Sequence, residues 1–210
     1  MRSLAKRQTI QTMSKGDKTR ERIIAKAAEL FNQRGLEGTS LSDLMEATGL
    51  EKGGIYRHFP SKEAVAVEAF DYAWQVALET RMHDLDTISN SVDKLKQFVV
   101  NFVERPSPLR GGCPLLNSAI DSDDGNVALR ERVNKALRQW RERIADIVRT
   151  GIKRGEINSD VDPKTVAILI ISSLEGGLMM SRLNREREPL RLIQGHLEHY
   201  LEEEVRLCSA

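Results

Sequence analysis

Apolar residues recur at helical period along almost the whole chain. Between Thr19 and Arg34, Ile23, Ala27, Leu30 and Phe31 fall at i, i+4, i+7 and i+8, one face of an amphipathic helix that Gly35 ends. Leu41, Leu44 and Met45 repeat the spacing after the N-cap residues Thr39 and Ser40, and Asp43 stands three positions beyond Ser40 in capping-box relation. Gly49 follows, where a left-handed helix cap is usually glycine. A second short helix is expected from about Glu51 to His58, turning Leu50, Ile55 and Phe59 toward a core before Pro60 stops it. Ser61 then caps a long helix to about Asp84, with Val65, Ala69, Tyr72 and Val76 on one stripe and Phe70, Ala73 and Ala77 on the next.

The later pattern predicts five more helices. Ser91–Glu104 carries Leu95, Phe98, Val99, Phe102 and Val103, and a short helix follows from Pro114 to about Asp121. Asn126–Arg154 bears Val133, Leu137, Trp140, Ile144 and Ile147 on a charged background. Asp162 and Pro163 form an N-cap and N1 pair that opens a helix to about Asn184, and a last helix runs from about Glu188 to Arg206. No segment reads as a strand. The expected fold is all-α: a basic tail (1–17), a three-helix N-terminal domain (18–64) and a larger helical domain (65–210). The helix from Ser61 joins the two without a linker, and signalling between the halves is expected along it.

Charge sharpens this picture. The net of +1 conceals a basic front, since residues 1–62 hold 12 Lys and Arg against 7 Asp and Glu and the remainder 20 against 24. A chain basic at one end only suits binding a polyanion with that end. Residues 1–17 lack the apolar run of a secretory signal; they read either as a solvated tail or as an arm that follows DNA phosphates. The two cysteines, Cys113 and Cys208, are too few for a disulfide framework and fit a reducing cytoplasm.

Helix, glycine turn and short helix together make a helix-turn-helix, whose second helix enters the DNA major groove. Once the apolar positions are assigned to the core, Lys52, Tyr56, Arg57, His58 and Lys62 remain for the outer face. Gly53 and Gly54 cost about 1 kcal/mol each in a helix relative to alanine. Either the backbone must approach something bulky there, or the pair is simply the turn and the helix begins at Ile55.

The stretches TRERIIAKAAELFNQRGLEGTSLSDLMEATGL and KGGIYRHFPSKEAV resemble the TetR family of transcriptional regulators over roughly residues 18–66. Glu51 departs from the serine or threonine frequent in that family; a carboxylate there can cap the helix, accept from a cytosine amino group or repel phosphate. The resemblance implies a homodimeric, ligand-responsive regulator, most simply a repressor, that binds a palindromic operator through Thr39, Ser40, Lys52, Gly53, Gly54, Tyr56, Arg57, His58 and Lys62. It implies a four-helix dimer seam built from the last two helices, with Ile170, Leu174, Gly176, Gly177, Leu197, Tyr200 and Leu201 as candidates. It also implies a pocket for a small hydrophobic or aromatic effector among Phe70, Trp74, Phe98, Phe102, Cys113, Leu116, Trp140, Leu174 and Met179. The expected partners are duplex DNA, a small organic effector and a second copy of the chain, with no cofactor, metal or membrane.

Other chemistry is weak in this sequence. Val166–Met180 is the most apolar stretch, but it is short for a membrane span and broken by Ser172, Ser173 and Glu175, so it reads as a buried or interface helix. GxSxG, HExxH, P-loop and GxGxxG patterns are absent, which argues against an enzyme. His196 and His199 lie near Glu198, Glu202 and Glu203, but read as ordinary residues of a charged helix rather than metal ligands. Cys113 is either a small buried residue or, at a helix N-terminus, an electrophile sensor. The rival function is a helical ligand- or protein-binding module whose helix-turn-helix no longer reads DNA; the basic front argues against it.

Overall fold

The computed structural model describes residues 14–105, 107–123 and 125–207. Nine α-helices follow in order among them: α1 (Lys15–Arg34), α2 (Leu41–Thr48), α3 (Lys52–Tyr56), α4 (Lys62–Arg81), α5 (Ser91–Glu104), α6 (Pro114–Ser122), α7 (Val127–Lys153), α8 (Pro163–Asn184) and α9 (Glu188–Tyr200). The expected all-α architecture holds. Caps read from the sequence do their work: Ser61, Asn126 and Asp162 each accept a backbone N–H of the first turn. Gly49 ends α2 at φ 65°, ψ 27°, the left-handed position that a side chain disfavours.

Three boundaries differ from expectation. The first helix starts at Lys15 rather than Thr19, because Ser14 and Asp17 form a reciprocal capping box. Residues 1–13, the bulk of the expected basic tail, lie outside the described residues, as does Cys208. Helix α3 begins at Lys52, as expected, so Gly53 and Gly54 are helical and not the turn, but it ends at Tyr56 rather than about His58. The last helix ends at Tyr200 and continues as a π-turn over Leu201–Val205. There Asn158 N–H donates to Val205 O at 3.0 Å and Leu207 N–H to Glu156 O at 3.0 Å, tying the chain's end to the α7–α8 loop.

Two hydrophobic cores result. The smaller joins Ile23, Ala27, Leu44, Ile55 and Phe59 to Val65, Ala69 and Ala73 of α4. Burying Ile55 and Phe59 contributes about 1.5–3 kcal/mol each, enough to offset the two glycines that weaken α3. The larger core packs Phe98, Phe102 and Trp140 with α8 and α9, and takes in Ala66, Phe70, Trp74, Ala77 and Leu78 from the other side of α4. Helix α4 is therefore built into both cores. Helix α8 is apolar and long enough to cross a membrane by length and composition alone; here its residues Val166, Ile170 and Leu174 are buried against the rest of the larger core.

Candidate nucleic-acid interface and ligand cavity

The outward face of α3 presents Lys52, Tyr56 and Arg57 to solvent, with the Lys52 ammonium 5.9 Å from the centre of the Tyr56 ring. His58 is half-buried. A Cβ placed on Gly53 would meet no atom of the described residues within 4 Å, whereas one on Gly54 would touch Leu50 at 3.4 Å. The contact at Gly54 is an ordinary van der Waals distance, so packing among the described residues requires a glycine at neither position. Glu51 precedes α3 but its side chain makes no capping bond. Ser40 is exposed, though its hydroxyl accepts from Asp43 N–H at 3.1 Å and Asp43 Oδ2 accepts from Ser40 N–H at 2.7 Å. The Ser40 hydroxyl also donates to Asp43 Oδ2; that bond and the one from Ser40 N–H, with Arg34 opposite, hold the Asp43 carboxyl below its ordinary pKa.

Two expected DNA contacts are redirected. Lys62 is not a free cation: its Nζ donates to Leu36 O at 2.9 Å and Thr39 O at 3.1 Å, pinning the start of α4 to the α1–α2 loop. Thr39 is fully buried and its hydroxyl donates to Gly35 O at 2.8 Å. Both carry residue types that suit phosphate, and both instead satisfy loop carbonyls that burial would leave unpaired.

A polar clasp, invisible in the pattern, joins this head to the rest of the molecule. Asn32 of α1 donates to Arg110 O at 2.8 Å and Gly112 O at 3.2 Å. Asn117 of α6 is shared among Asn32 O, Asn32 Oδ1 and Gly111 O at 2.8–2.9 Å, and Asp121 accepts from Leu36 N–H at 2.6 Å. Gly111 sits at φ 110°, and a Cβ there would fall 2.3 Å from Asn32 O, so only glycine lets the loop lie on α1.

That same loop walls a cavity of about 390 Å³ with α4, the end of α5, α8 and α9. Of the expected pocket residues, Phe102 and Cys113 line it. Phe98, Trp140 and Leu174 are core instead, at most 1% exposed. Phe70 faces a small cleft between α1, α4 and α6, Trp74 a groove beside Asp71 and Arg132, and Leu116 packs at the edge of the larger core. Met179 is exposed, on the outside of α8. The lining was expected to be mostly apolar; Ala77, Phe102, Val103, Leu109, Leu178 and Leu190 are joined by Arg81, Arg105, Arg110, Arg182 and Arg187. Arg81 is buried under the rings of Phe102, Trp140 and Trp74, at 4.4, 4.8 and 5.4 Å, and 3.8 Å from Glu175. Burial pushes the Glu175 carboxyl up, with the Arg81 charge pulling the other way. Burial also pushes the Cys113 thiol up to about 12, so the thiolate an electrophile sensor needs is not favoured, despite the helix N-terminus beside it.

Most residues expected at a dimer seam are turned into the chain's own core. Ile170, Leu174, Leu197 and Leu201 are buried within the chain, and Tyr200 is half-buried. Gly177 admits this chain's own α9, since a Cβ there would lie 3.1 Å from Ile193; one on Gly176 would meet nothing among the described residues within 4 Å. The uncovered apolar residues are Ile168, Leu169, Met179, Met180 and Leu183 of α8 and Leu192 of α9.

A capped helix, a glycine turn, a short exposed helix and a cavity-bearing helical body define a helix-turn-helix regulator. Residues 23–69 match the model of bacterial regulatory proteins of the tetR family, and residues 91–197 match the tetracyclin repressor-like C-terminal domain. The chain is 50% identical to a TetR transcriptional regulator from Chloroflexus aurantiacus whose crystal structure superposes with a TM-score of 0.88, covering 93% of this chain and all of that one. A putative regulator from Saccharomonospora viridis, solved in complex with choline, is 26% identical with a TM-score of 0.76 over 90% of this chain and 98% of that one. The transcriptional repressor DhaR of a Mycobacterium strain is 26% identical over 81% of this chain and 86% of its own length. This chain belongs to the TetR family of transcriptional regulators, proteins that bind DNA and are not enzymes.

Proposed function

We propose that the protein is a homodimeric repressor released from a palindromic operator by a small organic effector. The observation that carries this reading is the outer face of α3, where Lys52, Tyr56 and Arg57 are exposed and Gly53 is open. Phosphate contacts from such a face position the head, and base contacts specify the sequence. The apolar stripe on α8 and α9 supports a two-fold dimer, which sets two heads about one helical turn of DNA apart. The cavity supports an effector, since its size falls in the range of small-molecule sites. The choline held by the Saccharomonospora protein is a cation, and the arginines lining this cavity argue for a different ligand here. A reader of DNA of this kind works in the cytoplasm.

Such a ligand acts only through its differential affinity for the DNA-competent and released arrangements. The test is a mobility shift on the DNA upstream of the protein's own coding sequence, repeated at rising salt. Sequence-specific binding that weakens with salt supports the reading. Absence of any specific shift favours the rival, a helical binding module whose head no longer reads DNA.

A further inference from the structure

We propose that the cavity takes an organic anion, a carboxylate or phosphate borne on an apolar body; the inference rests on the effector reading above. Arg81, Arg105, Arg110, Arg182 and Arg187 line it, and no aspartate or glutamate among the described residues does. Two carboxylates stand behind the wall, Glu104 at 3.2 Å from Arg187 and Glu175 at 3.8 Å from Arg81. Arg105, Arg110 and Arg182 have no carboxylate within 4.0 Å among the described residues. The excess is cationic, and an arginine cluster is the usual recognition device for carboxylate and phosphate.

Arg81 is the independent sign. Its side chain is only 7% exposed and its Nη1 has no hydrogen-bond partner among the described residues; Glu175, itself unpartnered there, balances the charge at 3.8 Å but lies beyond hydrogen-bonding distance. A guanidinium drawn out of water in this way is stabilised by an anion brought to it. Phe102 and the aliphatic wall accept the body of the ligand. The loop bearing Arg105 and Arg110 also gives its Arg110 and Gly112 carbonyls to Asn32, so an anion that draws the loop inward acts directly on α1.

Four probes with one hydrocarbon tail decide it: octanoate, octyl phosphate, octanol and octylamine, titrated into the full-length protein. Trp74 and Trp140 are the only tryptophans and both stack on Arg81, so their fluorescence reports binding at the site. At least one of the two anions should bind about tenfold or more tighter than octanol, with octylamine weakest and the anion preference shrinking as salt rises. The tighter of the two anions names the head group. Arg110→Gln and Arg182→Gln change exposed side chains and keep the fold; each should weaken the anion about fivefold or more. Octanol binding as tightly as both anions, binding of neither anion, or Gln variants that bind the anion unchanged each overturn the proposal. Operator affinity in the same titration separates the two readings. An anion that binds while operator affinity stays fixed refutes release by this ligand and leaves the anion site standing.

Discussion

Replacing Gly53 by alanine separates what α3 owes to folding from what it owes to DNA. The residue is exposed and helical, its φ is not positive, and its added methyl meets nothing among the described residues within 4 Å. In the free protein the substitution should therefore stabilise by up to about 1 kcal/mol through helix propensity. For a chain of this size that raises the melting temperature by roughly 2–4 °C. On the operator the sign reverses. A methyl pressed against a sugar-phosphate strand is an overpacked contact, costing about 1–3 kcal/mol, or roughly 5–150-fold in affinity. Thermal melting of the free protein and a mobility shift at fixed salt give both numbers on one sample. Gly54 is the comparison: its Cβ would meet Leu50 at an ordinary van der Waals distance of 3.4 Å, so alanine there should gain similar stability while turning less methyl toward DNA. A Gly53→Ala protein that melts higher and binds operator at full strength would refute the close-approach argument, and one that melts lower would refute the propensity argument.

Lys62→Ala should cost stability, about 1 kcal/mol for the lost bonds to Leu36 O and Thr39 O, and leave the salt slope of DNA binding unchanged. Arg57→Ala should instead lower that slope by about one phosphate contact or relax one base preference. Asn117→Ala should destabilise by about 1–3 kcal/mol, read by denaturant melts, because it orphans acceptors on Asn32 and Gly111. Leu183→Asp, on the uncovered face of α8, should yield monomers in sedimentation with the helical circular dichroism retained, and operator affinity should fall with dimerisation. In acid, the Asp43 and Asp162 carboxyls sit below their ordinary pKa because Ser40 and Thr165 bond to them. Their contribution is present above the unfolded value near 4 and is lost as pH falls through the lower folded values. Asp43→Asn should flatten that part of a stability-versus-pH curve.

Helix positions were legible because capping residues, glycine stops and a 3.6-residue period agree along this chain. Ser91–Glu104 and Pro163–Asn184 are found where the pattern puts them. The missed start of α1 was present as Ser14 and Asp17 at capping-box spacing, masked by Gly16 and the basic run before it. Burial partners were harder. Helix α8 is apolar on nearly every side, so period alone cannot say that Ile170 and Leu174 face inward while Leu169 and Leu183 face outward. Lys62 and Thr39 looked like phosphate ligands by residue type, and only the path of the α1–α2 loop shows carbonyls within their reach. The cavity arginines come from four separate segments, and Asn32, Asn117 and Asp121 from helices far apart in sequence; no local pattern announces either grouping.

The clasp of Asn32, Asn117 and Asp121 sets where this protein can be cut and rejoined. A hybrid made at Ser61, carrying this head on a relative's body, would orphan the Leu36 amide and Asn32 wherever that body lacks an acceptor in place of Asp121 or of the Arg110 and Gly112 carbonyls. Each orphaned group costs about 1–3 kcal/mol, enough to consume much of the stability of an ordinary domain. The Leu36 and Thr39 carbonyls that Lys62 holds would then depend on the relative's residue at that position. Transplanting residues 40–58 alone leaves both sets of bonds whole, so exchange of DNA specificity should succeed with the reading helices and fail with the complete head.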